Sequence, residues 1–181
     1  MAVTFIRRLM GAAMLDVATY EEVEADRSAT VQALGIVVLS SLAAGIGARG
    51  SGGSAAAFSF FAAASVLALI TWASFALITF EIGARILPAA DTRGDVGELL
   101  RTLGFAATPG LVQIFGILPG AAVPVFTLAI VWTLAASIVA VRQALDYTST
   151  RRALAVCCLG VLLSFAIAFV LGLLLGPSVA G

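Results

Sequence analysis

The sequence predicts an all-α, polytopic integral membrane protein with five transmembrane helices and an amphipathic N-terminal helix at the membrane interface. Three observations predict it. Apolar residues make up 61% of the 181-residue chain and charged residues only 11%, against about 25% charged in an ordinary soluble domain. Five apolar stretches each approach the ~20 residues needed to cross ~30 Å of hydrocarbon. The arginines fall in alternate connecting segments.

Phe5, Ile6, Leu9, Met10, Ala13 and Met14 recur at helical spacing, with Arg7 and Arg8 off that face. The segment is too short to span a bilayer, so an interfacial helix is expected there. It is not read as a cleavable signal, because no long apolar run follows the arginines. Thr19 with Glu22 three residues on has a capping-box pattern, which predicts a short helix starting near Thr19. It carries Glu21, Glu22, Glu24 and Asp26. Residues 1–29 are therefore read as a cytoplasmic and interfacial segment, and 30–176 as the transmembrane domain.

The expected spans cover about 30–48, 55–80, 99–118, 123–141 and 153–175. Thr108-Pro109-Gly110 should kink the third, since a proline removes a backbone donor. Asp95 and Glu98 form a second capping-box pattern and mark its wet start, bringing Arg101 to the membrane surface. The connection at 49–54 is a short Gly/Ser turn. Pro119-Gly120-Ala121-Ala122 ties the third and fourth spans into a hairpin.

The ten arginines divide nine to one between the two sides, and there is no lysine. The arginine-rich side is expected in the cytoplasm. That places the N-terminus inside and the C-terminus outside; the all-Arg, Ala-rich composition is compatible with a GC-rich bacterial source, and the bacterial inner (plasma) membrane is the expected location. A net charge of zero gives no reason to expect nucleic acid as a partner. The bilayer is the expected partner, with other membrane proteins or a second copy as further possibilities. Small residues four apart, Ser41 with Gly45 and Gly172 with Gly176, favour close helix packing.

Few residues carry chemistry. There is no His, which removes the commonest general base and metal ligand. Neither a His-Glu-x-x-His nor a Gly-x-Ser-x-Gly pattern occurs. No enzyme activity, catalytic residue, metal or cofactor is expected. Cys157 and Cys158 are adjacent on a helix, poorly placed to pair, and read as core or lipid-facing residues. The ligand-binding candidates are polar groups at or near the spans: Glu81, Arg101, Gln113, Arg142 and Asp146. Arg142 and Asp146, four apart, should share a helix face. Gln113 lies one turn beyond Pro109. Together these residues supply an alternative reading, a small-solute transporter or channel component using the kinked third span.

Leu103-Gly104-Phe105-Ala106-Ala107-Thr108-Pro109 resembles the middle span of the Yip family, the Ypt/Rab-interacting membrane proteins, where Gly-Tyr is followed by Pro. Gly104 and Pro109 match, and Phe105 stands where Tyr is usual. Leu15 to Glu22 resembles the family's pre-membrane segment. Ala140-Val141-Arg142-Gln143-Ala144 with Arg151-Arg152-Ala153 resembles its fourth-to-fifth helix link. The resemblance implies five spans, a cytoplasmic N-terminus, and a non-enzymatic role in membrane organisation or trafficking through binding of lipids or membrane proteins. The Asp-Leu-Tyr-Gly-Pro signature of the eukaryotic branch and its long N-terminal arm are absent. Both absences argue against Rab-type GTPase binding and for a prokaryotic-type member.

Overall fold

The structure, a computed structural model, describes residues 2–48, 58–88 and 94–175. Among these residues there are seven α-helices and no strand. α1 (Ala2–Ala13) and α2 (Val17–Ala25) form an N-terminal hairpin. α3 (Ala29–Gly47), α4 (Phe58–Glu81), α5 (Val96–Ala106), α6 (Ala122–Ala144) and α7 (Thr150–Leu175) form the bundle. Five helical segments are long and apolar enough to cross a membrane, namely Ala29–Gly47, Val66–Ile86, Val96–Ile117, Ala122–Ala144 and Thr150–Ile167. Residues 49–54, with Arg49 and the expected Gly/Ser turn, lie outside the described residues, as do Arg93 and Gly176.

Two spans change helix type. α4 passes into a π-helical turn at Ile82–Ile86. The third span is α-helical only to Ala106 and continues as a 3-10 helix over Thr108–Ile117. The expected kink is thus a change of winding. Pro109 has no N–H to give the Phe105 carbonyl, and the chain adopts i→i+3 bonding from there. The Gly110 N–H reaches the Ala107 carbonyl at 2.9 Å. That carbonyl also accepts the Ser40 hydroxyl of α3 at 2.8 Å.

α3 is the central partner of the third span. Its Ala33 faces Gly104, where an added Cβ would come within 2.5 Å of the Ala33 Cβ. A Cβ on Gly47 would lie 1.9 Å from the Gln113 carbonyl oxygen. At both points only glycine lets the backbones approach this closely. Phe105 is fully buried between them and the rest of the core, with Leu99, Ile36, Tyr20 and Val156.

Both capping expectations are resolved by hydrogen bonds. At Asp95 and Glu98 the capping box is complete. The Asp95 carboxylate accepts the Glu98 N–H at 2.9 Å, and the Glu98 carboxylate accepts the Asp95 N–H at 2.8 Å. The earlier pattern is displaced. α2 begins at Val17 with Asp16 as its N-cap, and Thr19 sits inside the helix. The Asp16 carboxylate accepts both the Thr19 N–H and its hydroxyl, at 3.2 and 2.7 Å, so Thr19 is the capped residue in the first turn rather than the cap.

Candidate functional site

The polar residues gather at one end of the bundle, where α3, α5 and α7 begin and α4 and α6 end. Arg8 of α1 is the hub. Its side chain is 7% exposed, and it donates to Glu22 at 2.9 Å, Asp26 at 2.7 Å and Gln32 at 3.3 Å. Arg7 adds a second contact to Glu22 at 2.6 Å. Arg8 was expected off the packed face of α1, and it lies on it. Helix α1 carries two stripes. Phe5, Arg8, Leu9 and Ala12 pack inward. Val3, Ile6, Met10 and Met14 face outward and are 53–83% exposed. The apolar face expected as one surface is divided, because Arg8 finds its acidic partners on α2.

The hairpin leans on the flank of the bundle. The Tyr20 hydroxyl donates to the Ala12 carbonyl at 3.2 Å and closes α2 on α1. The Trp132 indole donates to the Ala13 carbonyl at 2.8 Å, at a level about 18 Å back along α6 from its last residue. Gln143 donates to Glu21 at 3.1 Å nearer the polar end. The hairpin is therefore tied to α6 at two heights.

Arg101, expected at the membrane surface, is 6% exposed, and its guanidinium donates to the Val23 and Glu24 carbonyls at the end of α2. A cation at the C-terminal carbonyls of a helix satisfies acceptors that have no partner within it and complements the helix dipole. Arg101 thus docks α2 onto α5.

The acidic groups here respond differently to their settings. Hydrogen bonds from Ser28 and Arg8 hold the Asp26 carboxyl down to about 2, and Arg7 with Arg8 lowers that of Glu22. Burial pushes Glu24 up to about 7, reinforced by the carboxylates of Glu98, Asp146 and Glu21 and opposed by Arg101.

The remaining candidates are dispersed. Glu81 pairs with Arg85 at 3.1 Å on the surface beside the π turn. Arg142 does not pair with Asp146. α6 ends at Ala144, and Asp146 takes a left-handed φ of 52°, so the four-residue spacing no longer describes one helix face. Arg142 donates instead to the Tyr147 carbonyl at 3.2 Å and the Thr150 hydroxyl at 3.4 Å. The Tyr147 hydroxyl, which sequence reasoning did not single out, donates to the Gly83 and Leu87 carbonyls at 2.8 and 3.0 Å. It ties the π turn to the link before α7. Arg152 donates to the Pro88 carbonyl at 3.0 Å and lies over the Tyr147 ring. Cys157 is buried, Cys158 is exposed, and both are free thiols.

Of the five candidates Gln113 lines the cavity between α3, α4, the third span and α6. This space has a volume of 720 Å³. Its polar groups are neutral: Ser40, Ser41, Thr71, Gln113, Thr133 and Ser137. No group of His, Cys, Asp and Glu residues that could hold a metal occurs among the described residues.

Five apolar spans, a layer of charge gathered, among the described residues, at one end and a cavity lined by no charged group define a polytopic helical membrane protein. Its sequence matches the Yip1 domain over residues 16–171. The match takes in the Asp16 cap, the Gly104–Pro109 segment and all five span-forming segments, and the chain belongs to the Yip1 domain family. No curated protein and no solved structure matches it.

Proposed function

We propose that the protein organises membranes without catalysing a reaction, by binding lipids or other membrane proteins at its charged end. The observation that carries this reading is the divided surface of α1. Arg8 and its acidic partners fix one side of the helix to the bundle, and Val3, Ile6, Met10 and Met14 stand exposed on the other. An exposed apolar stripe on a helix held beside a transmembrane bundle is covered only by lipid or by a partner's apolar surface. Arginines on the flanking links add attraction for anionic headgroups. In this reading residues 1–29 are the working segment and 30–176 the anchor. The charged end faces the cytoplasm by the arginine bias, and the composition fits a bacterial plasma membrane.

The alternative, a solute path along the third span, draws less support. Glu81, Arg101, Arg142 and Asp146 all stand outside the cavity that Gln113 borders.

The test is in-cell photo-crosslinking from position 10 and from position 151, with mass spectrometry of the adducts. Reproducible adducts with one lipid class or one membrane protein are expected from position 10. Serine at Ile6 and Met14 should abolish them while the Arg8 contacts persist. Adducts that survive those serines unchanged would sink the reading.

A further inference from the structure

The cavity beside Gln113 lies away from the charged end, and its use does not depend on what α1 binds. Its walls are Val37 to Ala44 of α3, Leu67 to Phe75 of α4, Leu103 to Gln113 of the third span and Ile130 to Ser137 of α6. Counted from the charged ends of these spans, most of the walls lie about 10–20 Å down, near the middle of a ~30 Å hydrocarbon layer, and Gln113, beyond the change to 3-10 winding, lies about 29 Å down beside Gly47 at the end of α3. Among the described residues α4 and α6 share no packed interface, and the cavity is open rather than enclosed. Leu67 on one side and Ile130 with Leu134 on the other are exposed at its mouth. It is a cleft opening sideways into the bilayer, with α3 and the third span as its floor.

Size and polarity restrict what fills it. A spanning helix about 10 Å across and 30 Å long occupies roughly 2,400 Å³, more than three times the 720 Å³ available. At the ~30 Å³ that a water-sized group takes up, the cleft holds about two dozen such groups, the scale of one long hydrocarbon chain. Charged solutes are excluded, since the lining carries no charge to pair with them. The hydroxyls of Ser40 and Ser137 are already spent on the Ala107 and Thr133 carbonyls. The Gln113 amide is free of protein partners among the described residues, and a polar group removed from water without a partner is unfavourable.

We infer that this cleft holds one acyl chain of a membrane lipid, with the Gln113 amide, at the end of the cleft away from the charged layer, bonded to a neutral polar group of that lipid. Thr71 and Thr133 provide further neutral contacts along the chain.

The test uses the full chain in vesicles of phosphatidylethanolamine and phosphatidylglycerol, with a trace of phospholipid carrying a mid-chain diazirine. After illumination, adducts are mapped by peptide mass spectrometry. Labelling at Leu67, Thr71, Ile130 and Leu134 is expected to exceed that at Phe165, an exposed residue on α7, by at least five-fold. Ala68→Trp fills the cleft from α4 and Leu134→Trp fills it from its mouth. Each is expected to lower cleft labelling at least five-fold with Phe165 labelling unchanged. Because Leu134 is at the exposed mouth, its variant tests the inference even if Ala68→Trp does not fold. Even labelling of cleft and Phe165 in the wild type overturns the inference. So does cleft labelling that both tryptophans leave intact. None of these results bears on adducts formed from position 10, so the two readings fail separately.

Discussion

The Thr108 hydroxyl donates to the Phe105 carbonyl at 2.6 Å, and that carbonyl is the one Pro109 leaves without its helical N–H. A side chain one residue before the proline thus replaces the missing backbone donor inside the bundle, where no water is available to do so.

Thr108→Val should therefore cost about 1–3 kcal/mol, the penalty for an acceptor stranded away from water. Thr108→Ser keeps the donor and should recover most of it. Thermal unfolding of the purified protein in detergent checks both. Equal midpoints for valine and serine would show that the hydroxyl contributes nothing.

Gly104→Ala places a methyl group 2.5 Å from the Ala33 Cβ, and overpacking of this kind costs about 1–3 kcal/mol. Ala33→Gly removes the atom it meets. The double variant should be more stable than Gly104→Ala alone, a coupling that a double-mutant cycle measures. Strict additivity would mean that α3 and α5 do not meet there.

Glu24 makes stability fall as pH rises. Its carboxyl titrates at about 7 in the folded protein, above the ~4.3 of an unperturbed glutamate. Between these values the folded chain keeps a proton that the unfolded chain has lost. The penalty is absent below about 4, grows towards 7 and is complete above it. Asp26, held at about 2, does not titrate in that window. Glu24→Gln should raise the unfolding midpoint at pH 8 and leave it nearly unchanged at pH 4. A gain that is equal at both values would assign the effect to something other than this proton.

Tyr147→Phe removes the donor to the Gly83 and Leu87 carbonyls. A loss of about 1–2 kcal/mol is expected, with faster amide exchange confined to residues 82–88. Hydrogen–deuterium exchange reads it directly, and unchanged protection there would mean that the π turn holds itself.

Much of this architecture is legible in the sequence. Five spans follow from apolar length, and the Asp95–Glu98 box follows from a local pattern whose partners are three residues apart. Local patterns also mislead where a competitor sits nearby. Thr19 and Glu22 have capping spacing, but Asp16 caps the helix first and takes the Thr19 donors for itself. The Arg142–Asp146 spacing implied a pair only while α6 continued, and the helix stops at Ala144. The positions of Arg8 and Arg101 could not be read at all, because their partners on α2 and α3 lie far away in the chain. The cleft beside Gln113 belongs to the same class, since four elements must pack before it exists.

The 3-10 segment after Pro109 has a consequence for length. Ten residues wound at ~2.0 Å per residue reach about 5 Å farther than the same ten wound as an α-helix. Val96–Ile117 therefore covers about 38 Å with a stretch that a uniform α-helix would cut to about 33 Å. Each residue exchanged between the two windings would change its reach by about 0.5 Å. The third span is in this sense an extensible strut, and hydrophobic thickness, which differs among bilayers by a few ångströms, falls within its travel.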